Sequence, residues 1–356
     1  MTWPGDLARI LLVRLDNLGD VVLLAPAVEA LHARSPRVRL TLLASPGGAG
    51  AAALLPAIDE VIVHRPVWQE LTPGRESASA EQALIQDLRV RQFDAAVIFT
   101  SFAQSALPAA FACFLAGIPL RAAYGDRFAG RVLTDEVVPP SAPLHEADRN
   151  LQLLQAIGIS PSGRALRIEV PDAAQAAADA ALASLRMSAP FILLAPGASA
   201  PARRYPARHF AEVAGAAAEA GLSVLVTGSQ RERALLESVV DGAGHPDVCG
   251  IVPADVPMLA GLVRRAGAAV SNNSLTMHLA DAFRVPAVVL YSGTDLDAHW
   301  RPRFAAARLL RRPVDCAPCH GIECVRALQC LDIPPSRVVA ALQEMLRPRA
   351  TRAVHA

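Results

Sequence analysis

The chain of 356 residues contains no lysine, and its 34 basic residues are all arginine. Any phosphate group that it binds must therefore be held by arginine side chains or by backbone N–H groups. The sequence has neither a Walker lysine nor a G-x-G-x-x-G segment, so a P-loop and the NAD-type fingerprint are both excluded. The net charge of +1 and the pI near 7.7 give no support to nucleic-acid binding.

Neither a signal peptide nor a membrane span is expected from the apolar runs of this sequence. Asp6 and Arg9 precede the first apolar run, which is typical of a buried strand and not of a signal peptide. Residues 95–120 carry no charge, but polar residues and a proline interrupt them, namely Thr100, Ser101, Gln104, Ser105 and Pro108. Strand, loop and helix explain this stretch better than a membrane span. We expect a soluble, cytoplasmic protein.

Four of the six cysteines stand close together as C-x2-C-x4-C-x5-C, at Cys316, Cys319, Cys324 and Cys330. A disulfide scaffold would be shorter and richer in cysteine. Four thiols at this spacing could hold zinc or an iron–sulfur cluster. Reduced structural thiols are the alternative, and both interpretations stay open.

The length favours about two domains, each built from alternating strands and helices. The first half shows strand patterns at 10–14, 39–44, 61–63, 95–99 and 137–138, and the second half at 191–195, 223–227, 268–271 and 287–291. The proline- and glycine-punctuated segment 159–171 suits a connection between domains. We predict an α/β chain of two Rossmann-like domains that face each other across a cleft, with bounds 1–165 and 171–335.

The polar turn after the first strand carries Asp20. One interpretation is that Asp20 is only the N-cap of the next helix, which is a common role for aspartate. The other is a general base at the carboxyl end of the strand, kept ionised by helix N–H groups. The two roles are compatible.

Polar loops follow several strands of the second half. Pro196-Gly197-Ala198-Ser199 precedes a helix start, and Arg203 or Arg204 could add a bidentate charge, so this segment predicts a phosphate cradle. An ordinary βα loop is the alternative. The other strand-end loops contribute Gly228 and Ser229, then Asn273, Ser274 and His278, then Thr294. Several such loops at one sheet edge favour a nucleotide site, although a helical histidine like His278 is more often part of a core.

In this order, these segments resemble glycosyltransferase family 9, the ADP-heptose:lipopolysaccharide heptosyltransferases. The resemblance covers nearly the whole chain. It rests on Leu18–Val22 with Pro26, residues 117–121, 145–158, 196–199 and 203–206, then 271–280, 293–295 and 316–331.

The family resemblance implies a GT-B fold, with an N-terminal acceptor domain, a C-terminal donor domain, and residues 336–356 packing back towards the first domain. It implies an inverting reaction that needs neither metal nor cofactor, with an ADP-sugar donor and a lipid-linked glycan acceptor. By this resemblance Asp20 is the catalytic base. The acceptor would be bound by Asn17 and Arg121. The donor would be bound by residues of the second half, namely Ser199, Arg203, Arg204, Gly228, Ser229, Asn273, Ser274, Leu275, His278 and Thr294. Peripheral contact with the cytoplasmic face of the inner membrane is expected.

The chain departs from the family at two places, and at one of them Ser292-Gly293 stands where Gly-Pro is common. Asn273-Ser274-Leu275 stands where the family usually has Asp-Ser-Gly or Asp-Thr-Gly. Asparagine still hydrogen-bonds sugar hydroxyls but carries no negative charge, and leucine narrows the space beside the donor. The leading hypothesis is transfer of a sugar, heptose, to a lipopolysaccharide core or related glycan. An epimerase-like GT-B enzyme and a non-catalytic nucleotide-sugar-binding homologue are the alternatives.

Overall fold

A computed structural model describes residues 2–69, 78–102, 104–125, 130–187 and 189–346. The chain divides into two compact units, Met1–Glu169 and Val170–Ala356. The division falls inside the segment 159–171 that the sequence indicates as a connection.

The first unit contains six strands and five α-helices among its described residues. In chain order they are β1 (Arg9–Arg14), α1 (Leu18–Val22), α2 (Ala25–Arg34), β2 (Arg39–Ala44), β3 (Glu60–Val63), α3 (Ser79–Arg91), β4 (Ala95–Ile98), α4 (Leu107–Leu115), β5 (Leu120–Tyr124), β6 (Asp135–Val137) and α5 (Glu146–Ala156).

The second unit contains six strands and seven α-helices among its described residues. They are α6 (Asp172–Ser184), β7 (Ile192–Ala195), α7 (Ala207–Glu219), β8 (Val224–Thr227), α8 (Arg233–Ala243), β9 (Val248–Ile251), α9 (Val256–Arg265), β10 (Ala268–Asn272), α10 (Leu275–Phe283), β11 (Ala287–Leu290), α11 (Asp297–Trp300), β12 (Ala307–Leu310) and α12 (Pro335–Leu346).

Each unit is built on a fully parallel sheet. The strand orders are β3-β2-β1-β4-β5-β6 and β12-β11-β10-β7-β8-β9. Numbered within its own unit, the second sheet therefore repeats the 3-2-1-4-5-6 order of the first. The central strands β1, β4, β7 and β10 are apolar runs buried on both faces, as parallel sheets covered by helices require. The prediction of two Rossmann-like domains is confirmed.

The strand order decides where a ligand would lie. Loops leave in opposite directions from the two central strands, β1 and β4 in one unit and β7 and β10 in the other, which opens a crevice at the carboxyl ends of each pair. Each unit therefore has one such switch point, and the polar loops noted in the sequence lie at these two places.

Three strands were not predicted from the sequence: β5, β9 and β12. Two of them, β9 and β12, border their sheet and are only partly buried, so their apolar signal is weak. The polar turn after β1 leads into two short helices, α1 and α2. Within the described ranges, no helix has the length and apolarity needed to cross a membrane.

Helix α12 packs on α7, β10 and β11 of the second unit, and Val338, Ala341 and Leu342 join the core of that unit. The prediction that residues 336–356 pack back towards the first domain stays a prediction, and residues 347–356 lie outside the described residues.

Candidate functional site

The switch point of the first unit is organised around a buried arginine. Arg14 ends β1 and is fully buried. Its guanidinium forms ion pairs with Asp16 (Nε to Oδ2, 2.7 Å), Asp20 (Nη2 to Oδ1, 3.1 Å) and Glu146 (Nη1 to Oε1, 2.8 Å). Nη2 also donates to the hydroxyl of Ser101, which follows β4, at 3.1 Å. The two central strands are thus joined by one side chain.

Asp20 lies in the first turn of α1 but is not its N-cap, which is Asn17. The interpretation of Asp20 as an N-cap is therefore wrong by three residues. The carboxylate still serves the helix start, since Oδ2 accepts the backbone N–H of Asn17 at 3.0 Å. Its side chain is 13% exposed, so one edge of an otherwise buried carboxylate remains accessible to a substrate.

The expectation that helix N–H groups keep Asp20 ionised is also wrong. Burial raises the pKa of Asp20 to about 7, and the negative charges of Asp16 and Glu146 add to the rise. Arg14 and the Asn17 N–H lower the pKa, but they are outweighed. A carboxylate that titrates near neutral pH accepts a proton far more readily than an ordinary aspartate.

Helix α5 supplies the rest of the cluster. Glu146, in its first turn, is fully buried, and Arg149 lies 3.7 Å from the same Oε1 atom that contacts Arg14. Three carboxylates and two guanidiniums leave the cluster with one excess negative charge. In the described part of the chain no donor hydrogen-bonds the second carboxylate oxygen, Glu146 Oε2. This excess negative charge adds to burial, which is the main cause of the raised pKa of Asp20.

The two predicted acceptor residues lie apart. Asn17 is exposed beside Asp20. Arg121 lies three residues before the carboxyl end of β5, and its guanidinium donates to the carbonyl groups of residues 118, 119, 131 and 132. The structure therefore does not bring Arg121 to the Asp20 cluster.

The switch point of the second unit is organised around a buried amide. Asn272 ends β10 and is fully buried. Its Nδ2 donates to the carbonyl oxygens of Pro196 (2.8 Å) and Gly197 (3.3 Å), while its Oδ1 accepts the N–H of Tyr205 at 3.0 Å. One amide thus fixes both ends of the loop between β7 and α7.

The predicted donor turn follows directly. Asn273 is buried, and its Oδ1 accepts the hydroxyl of Ser292 at 3.4 Å. Ser274 is the N-cap of α10, although its side chain makes no capping hydrogen bond, and Leu275 opens the helix. A hydroxyl, an amide and the first N–H groups of a helix stand together here, which suits hydroxyl groups or an anion.

The adjacent arginines have different roles. Arg203 pairs with Asp295 (Nη2 to Oδ2, 2.7 Å) and donates from Nε to Thr294 Oγ1 at 3.1 Å, linking two strand-end loops. Arg204 donates from Nε and Nη2 to the carbonyl of Ala198 and so braces its own loop. Both arginines are partly exposed, so each has an accessible side from which to contact an external phosphate.

Glu232 connects two of the loops that the sequence singled out. Its Oε2 accepts the backbone N–H (2.9 Å) and the hydroxyl (2.8 Å) of Ser229. A Cβ atom at Gly197 would lie 2.2 Å from Glu232 Oε1, so a larger residue there would displace this carboxylate from Ser229. Gly228 lies against the same side chain, and Ser199 is exposed in the neighbouring loop.

His278 is buried one turn into α10 and lies edge-on to Trp300, with ring centroids 6.5 Å apart. Burial lowers the pKa of His278 to about 4. The negative charge of Asp281 opposes this shift, and the positive charge of Arg303 adds to it. The ring is neutral at pH 7 and can orient a neighbour only as a hydrogen-bonding group.

The cysteine segment packs on the loops of this switch point. Cys319 N donates to the Gly293 carbonyl and His320 N to the Thr294 carbonyl, both at 3.0 Å, and Ala202 N donates to the Ile322 carbonyl at 2.9 Å. A Cβ atom on Gly293 would lie 3.1 Å from the Ala317 Cβ. Across the described ranges, no group of three or more His, Cys, Asp or Glu side chains could hold a metal ion. The contacts give the segment a supporting role.

Sequence reasoning missed Arg14, Glu146, Glu232, Asn272 and Asp295 as site residues. A charged residue inside an apolar strand was the available signal for Arg14, since an unpaired charge there would be costly. The others carry no comparable signal, because their importance depends on which distant groups they contact.

Comparisons with known proteins agree with this geometry. Residues 82–329 match the family described as glycosyltransferase family 9 (heptosyltransferase). The chain is 24% identical to lipopolysaccharide heptosyltransferase 2 of Escherichia coli K12, over 95% of this chain and 98% of that protein.

Two solved structures share the fold. The glycosyl transferase family 9 protein of Veillonella parvula has a TM-score of 0.78 at 21% identity, covering 97% of this chain and 99% of that one. The E. coli ADP-heptose lps heptosyltransferase II has a TM-score of 0.75 at 21% identity, covering 95% and 98%. The predicted GT-B architecture of two Rossmann-like domains is confirmed by this likeness. The chain belongs to glycosyltransferase family 9 and is a glycosyltransferase.

Proposed function

We propose that this glycosyltransferase moves heptose from an ADP-sugar to the core of a lipopolysaccharide or to a related glycan, with inversion and without a metal ion. The two E. coli proteins named above are named as lipopolysaccharide heptosyltransferases, and the fold agrees over almost the whole chain. The reaction would take place at the cytoplasmic face of the inner membrane, where a lipid-linked acceptor is accessible to a peripherally bound enzyme.

The observation that carries the proposal is the accessible carboxylate of Asp20 with a pKa of about 7. Asp20 takes the proton of the acceptor hydroxyl as its oxygen attacks the anomeric carbon of the donor sugar. The bond from that carbon to the diphosphate breaks, and ADP leaves with the electron pair. Attack from the side opposite the leaving group inverts the anomeric centre.

The second unit would hold the donor. Arg203 and the N–H groups at the start of α10 supply positive charge for the leaving diphosphate, since the chain has no lysine to do so. Ser199, Ser229, Asn273 and Thr294 supply hydroxyl and amide groups for the sugar and nucleotide. Most of these groups are fixed by hydrogen bonds, so little rearrangement is needed as charge develops.

The test is Asp20→Asn in the purified full-length protein. Transfer to acceptor should fall about 10²–10⁴-fold, whereas thermal stabilisation by ADP-heptose should be unchanged because the donor groups are intact. A variant that transfers at the wild-type rate would refute the base assignment. Donor turnover without acceptor would indicate an epimerase-like enzyme, and tight donor binding by the wild type without turnover a non-catalytic homologue.

A further inference from the structure

Helix α4 presents an apolar face to solvent. Its inner side packs Ala109, Ala110, Ala112 and Cys113 into the core of the first unit. Its outer side exposes four large apolar residues, which we call the α4 stripe: Leu107 (37% exposed), Phe111 (50%), Phe114 (46%) and Leu115 (39%). Their spacing of four, seven and eight residues places them on one side of an α-helix.

The α4 stripe differs from ordinary scattered surface apolar residues. The rings of Phe111 and Phe114 stack on each other with centroids 6.2 Å apart. The nine residues of the helix include no charged side chain. A surface helix normally turns a polar face to water, so a helix that is apolar on both sides indicates a second apolar environment.

The charged side chains with a described contact to α4 are arginines. Residues 95–125 contain no aspartate or glutamate. The Arg121 guanidinium lies 5.4 Å from the centroid of the Phe114 ring, and its Nη2 contacts the carbonyl of Arg131. Arg89 donates from Nη2 to the carbonyl of Leu115 at 2.7 Å, and the residues Arg89 and Arg131 are both exposed. Aromatic side chains flanked by arginine suit the boundary between anionic headgroups and acyl chains.

The segment that leads into α4 adjoins the Asp20 cluster. Ser101, which binds Arg14, is followed by Phe102, and the Arg149 guanidinium lies 4.8 Å from the centroid of the Phe102 ring. Arg149 in turn contacts Glu146. Phe102 lies five residues before α4 in the chain and is 39% exposed, so a further exposed apolar ring lies beside this cluster.

We propose that the α4 stripe, with Arg89 and Arg131 beside it, is the docking surface of this protein for an anionic lipid bilayer. This proposal rests on the proposed function, which supplies the lipid-linked acceptor. It adds the surface of the protein that contacts the membrane. Charge complementarity favours a bilayer over a second copy of the chain, because two copies would bring their arginines together.

The test is co-sedimentation of the full-length protein with vesicles of phosphatidylethanolamine and phosphatidylglycerol. The F111S/F114S variant should lose at least about tenfold in partition coefficient, since two half-exposed phenylalanine rings would no longer be buried. The matched control is V63S/V138S, which removes two exposed valines (55% and 79%) of the same unit away from α4 and should bind as the wild type does. Arg131→Gln should weaken binding to these vesicles and leave binding to pure phosphatidylcholine unchanged.

A substitution that adds a probe keeps the test decisive if F111S/F114S fails to fold. Phe111→Trp should show quenching by brominated lipids beyond that of the wild type, which has three tryptophans elsewhere. Absence of vesicle binding by the wild type, equal binding by F111S/F114S, or no added quenching in Phe111→Trp would overturn the proposal. So would a wild-type dimer that F111S/F114S dissociates, because the stripe would then be an interface between copies.

Vesicle binding is measured without donor or acceptor. If it depends on the α4 stripe while the wild type fails to transfer heptose to a deacylated, water-soluble acceptor, the proposed function fails and the docking surface stands. If the wild type transfers heptose to the soluble acceptor and F111S/F114S binds vesicles as the wild type does, only the docking-surface proposal fails.

Discussion

The two units share a strand order, and at the switch point of each a buried polar side chain of a central strand ties the loops together. In the first unit this residue is Arg14, which is surrounded by Asp16, Asp20 and Glu146. In the second it is Asn272, which bonds only to backbone groups. One centre is held by charge and the other by neutral hydrogen bonds.

This difference suits two chemical tasks. Clustered carboxylates in a desolvated place raise the pKa of one member, which provides a base. A neutral amide fixes a loop without adding negative charge to the place where we propose that a diphosphate binds. By the function proposed above, the same topology would serve proton transfer in one unit and anion binding in the other.

The largest expected effect comes from removing the charged centre. Arg14→Gln leaves buried carboxylates unpaired, and we expect the free energy of unfolding to fall by about 3–5 kcal/mol. The counterpart, Arg203→Gln, breaks an ion pair whose arginine is 30% exposed, so stability should change by less than about 1 kcal/mol while affinity for ADP-heptose falls. Urea unfolding measures the stability of each variant, and donor titration measures its affinity for ADP-heptose. Equal losses of stability in the two variants would contradict the difference drawn between the two units.

The second unit has its own response to pH, through His278. Burial lowers the folded-state pKa from 6.5 to about 4, so the stability that the neutral ring contributes is present above pH 6.5 and is lost as the pH falls towards 4. Between pH 7 and 4.5, wild type should lose about 2–3 kcal/mol more than His278→Gln. Urea midpoints at the two pH values test this. Parallel curves for the two proteins would show that His278 is not the responsible group.

Asn272 and Asn273 allow a matched pair of substitutions. Asn272→Ala leaves two carbonyl groups and one N–H without their partner and should cost about 2 kcal/mol. Asn272→Asp should cost more, because a carboxylate would face the carbonyl oxygens of Pro196 and Gly197. Asn273→Asp keeps an acceptor for Ser292 and should cost less than about 1 kcal/mol. Thermal unfolding ranks the three, and an Asn272→Asp variant as stable as the wild type would exclude the proposed anchoring.

The smallest effect concerns the acidic limb of the pH–rate profile. The proposed mechanism requires ionised Asp20, so kcat/KM should fall as the pH drops through about 7. Glu146→Gln removes a negative charge that raises this pKa, and the limb should move to lower pH by about one unit, or about 1.4 kcal/mol. Glu146→Asp should restore most of the wild-type profile. The exposed Glu60→Gln serves as control, and an unmoved limb in Glu146→Gln would show that Glu146 acts only structurally.

Much of the fold was predictable because most strands and helices carry a local signal. Apolar runs such as 10–14 and 268–271 indicate strands buried on both faces, and β10 ends one residue beyond its prediction, at Asn272. The edge strands β9 and β12 were missed, since a half-buried edge has little apolar pattern to detect.

The site was predictable only in part. Polar loops at strand ends, from Ser199 to Thr294, could be located because parallel strands bring their carboxyl ends to one edge of the sheet. The role of each side chain could not. Arg203 and Arg204 are neighbours in sequence, yet one pairs with Asp295 and the other with the carbonyl of Ala198.

The sequence by itself determined the alternation of strands and helices, the position of the polar turns and the absence of lysine, since all three are properties of neighbouring residues. The tertiary structure decided the ionisation of Asp20. Its pKa depends on Glu146, which lies 132 residues from Arg14 along the chain but 2.8 Å from it in space. Electrostatic energy depends on distance and on the surrounding medium, and folding sets both.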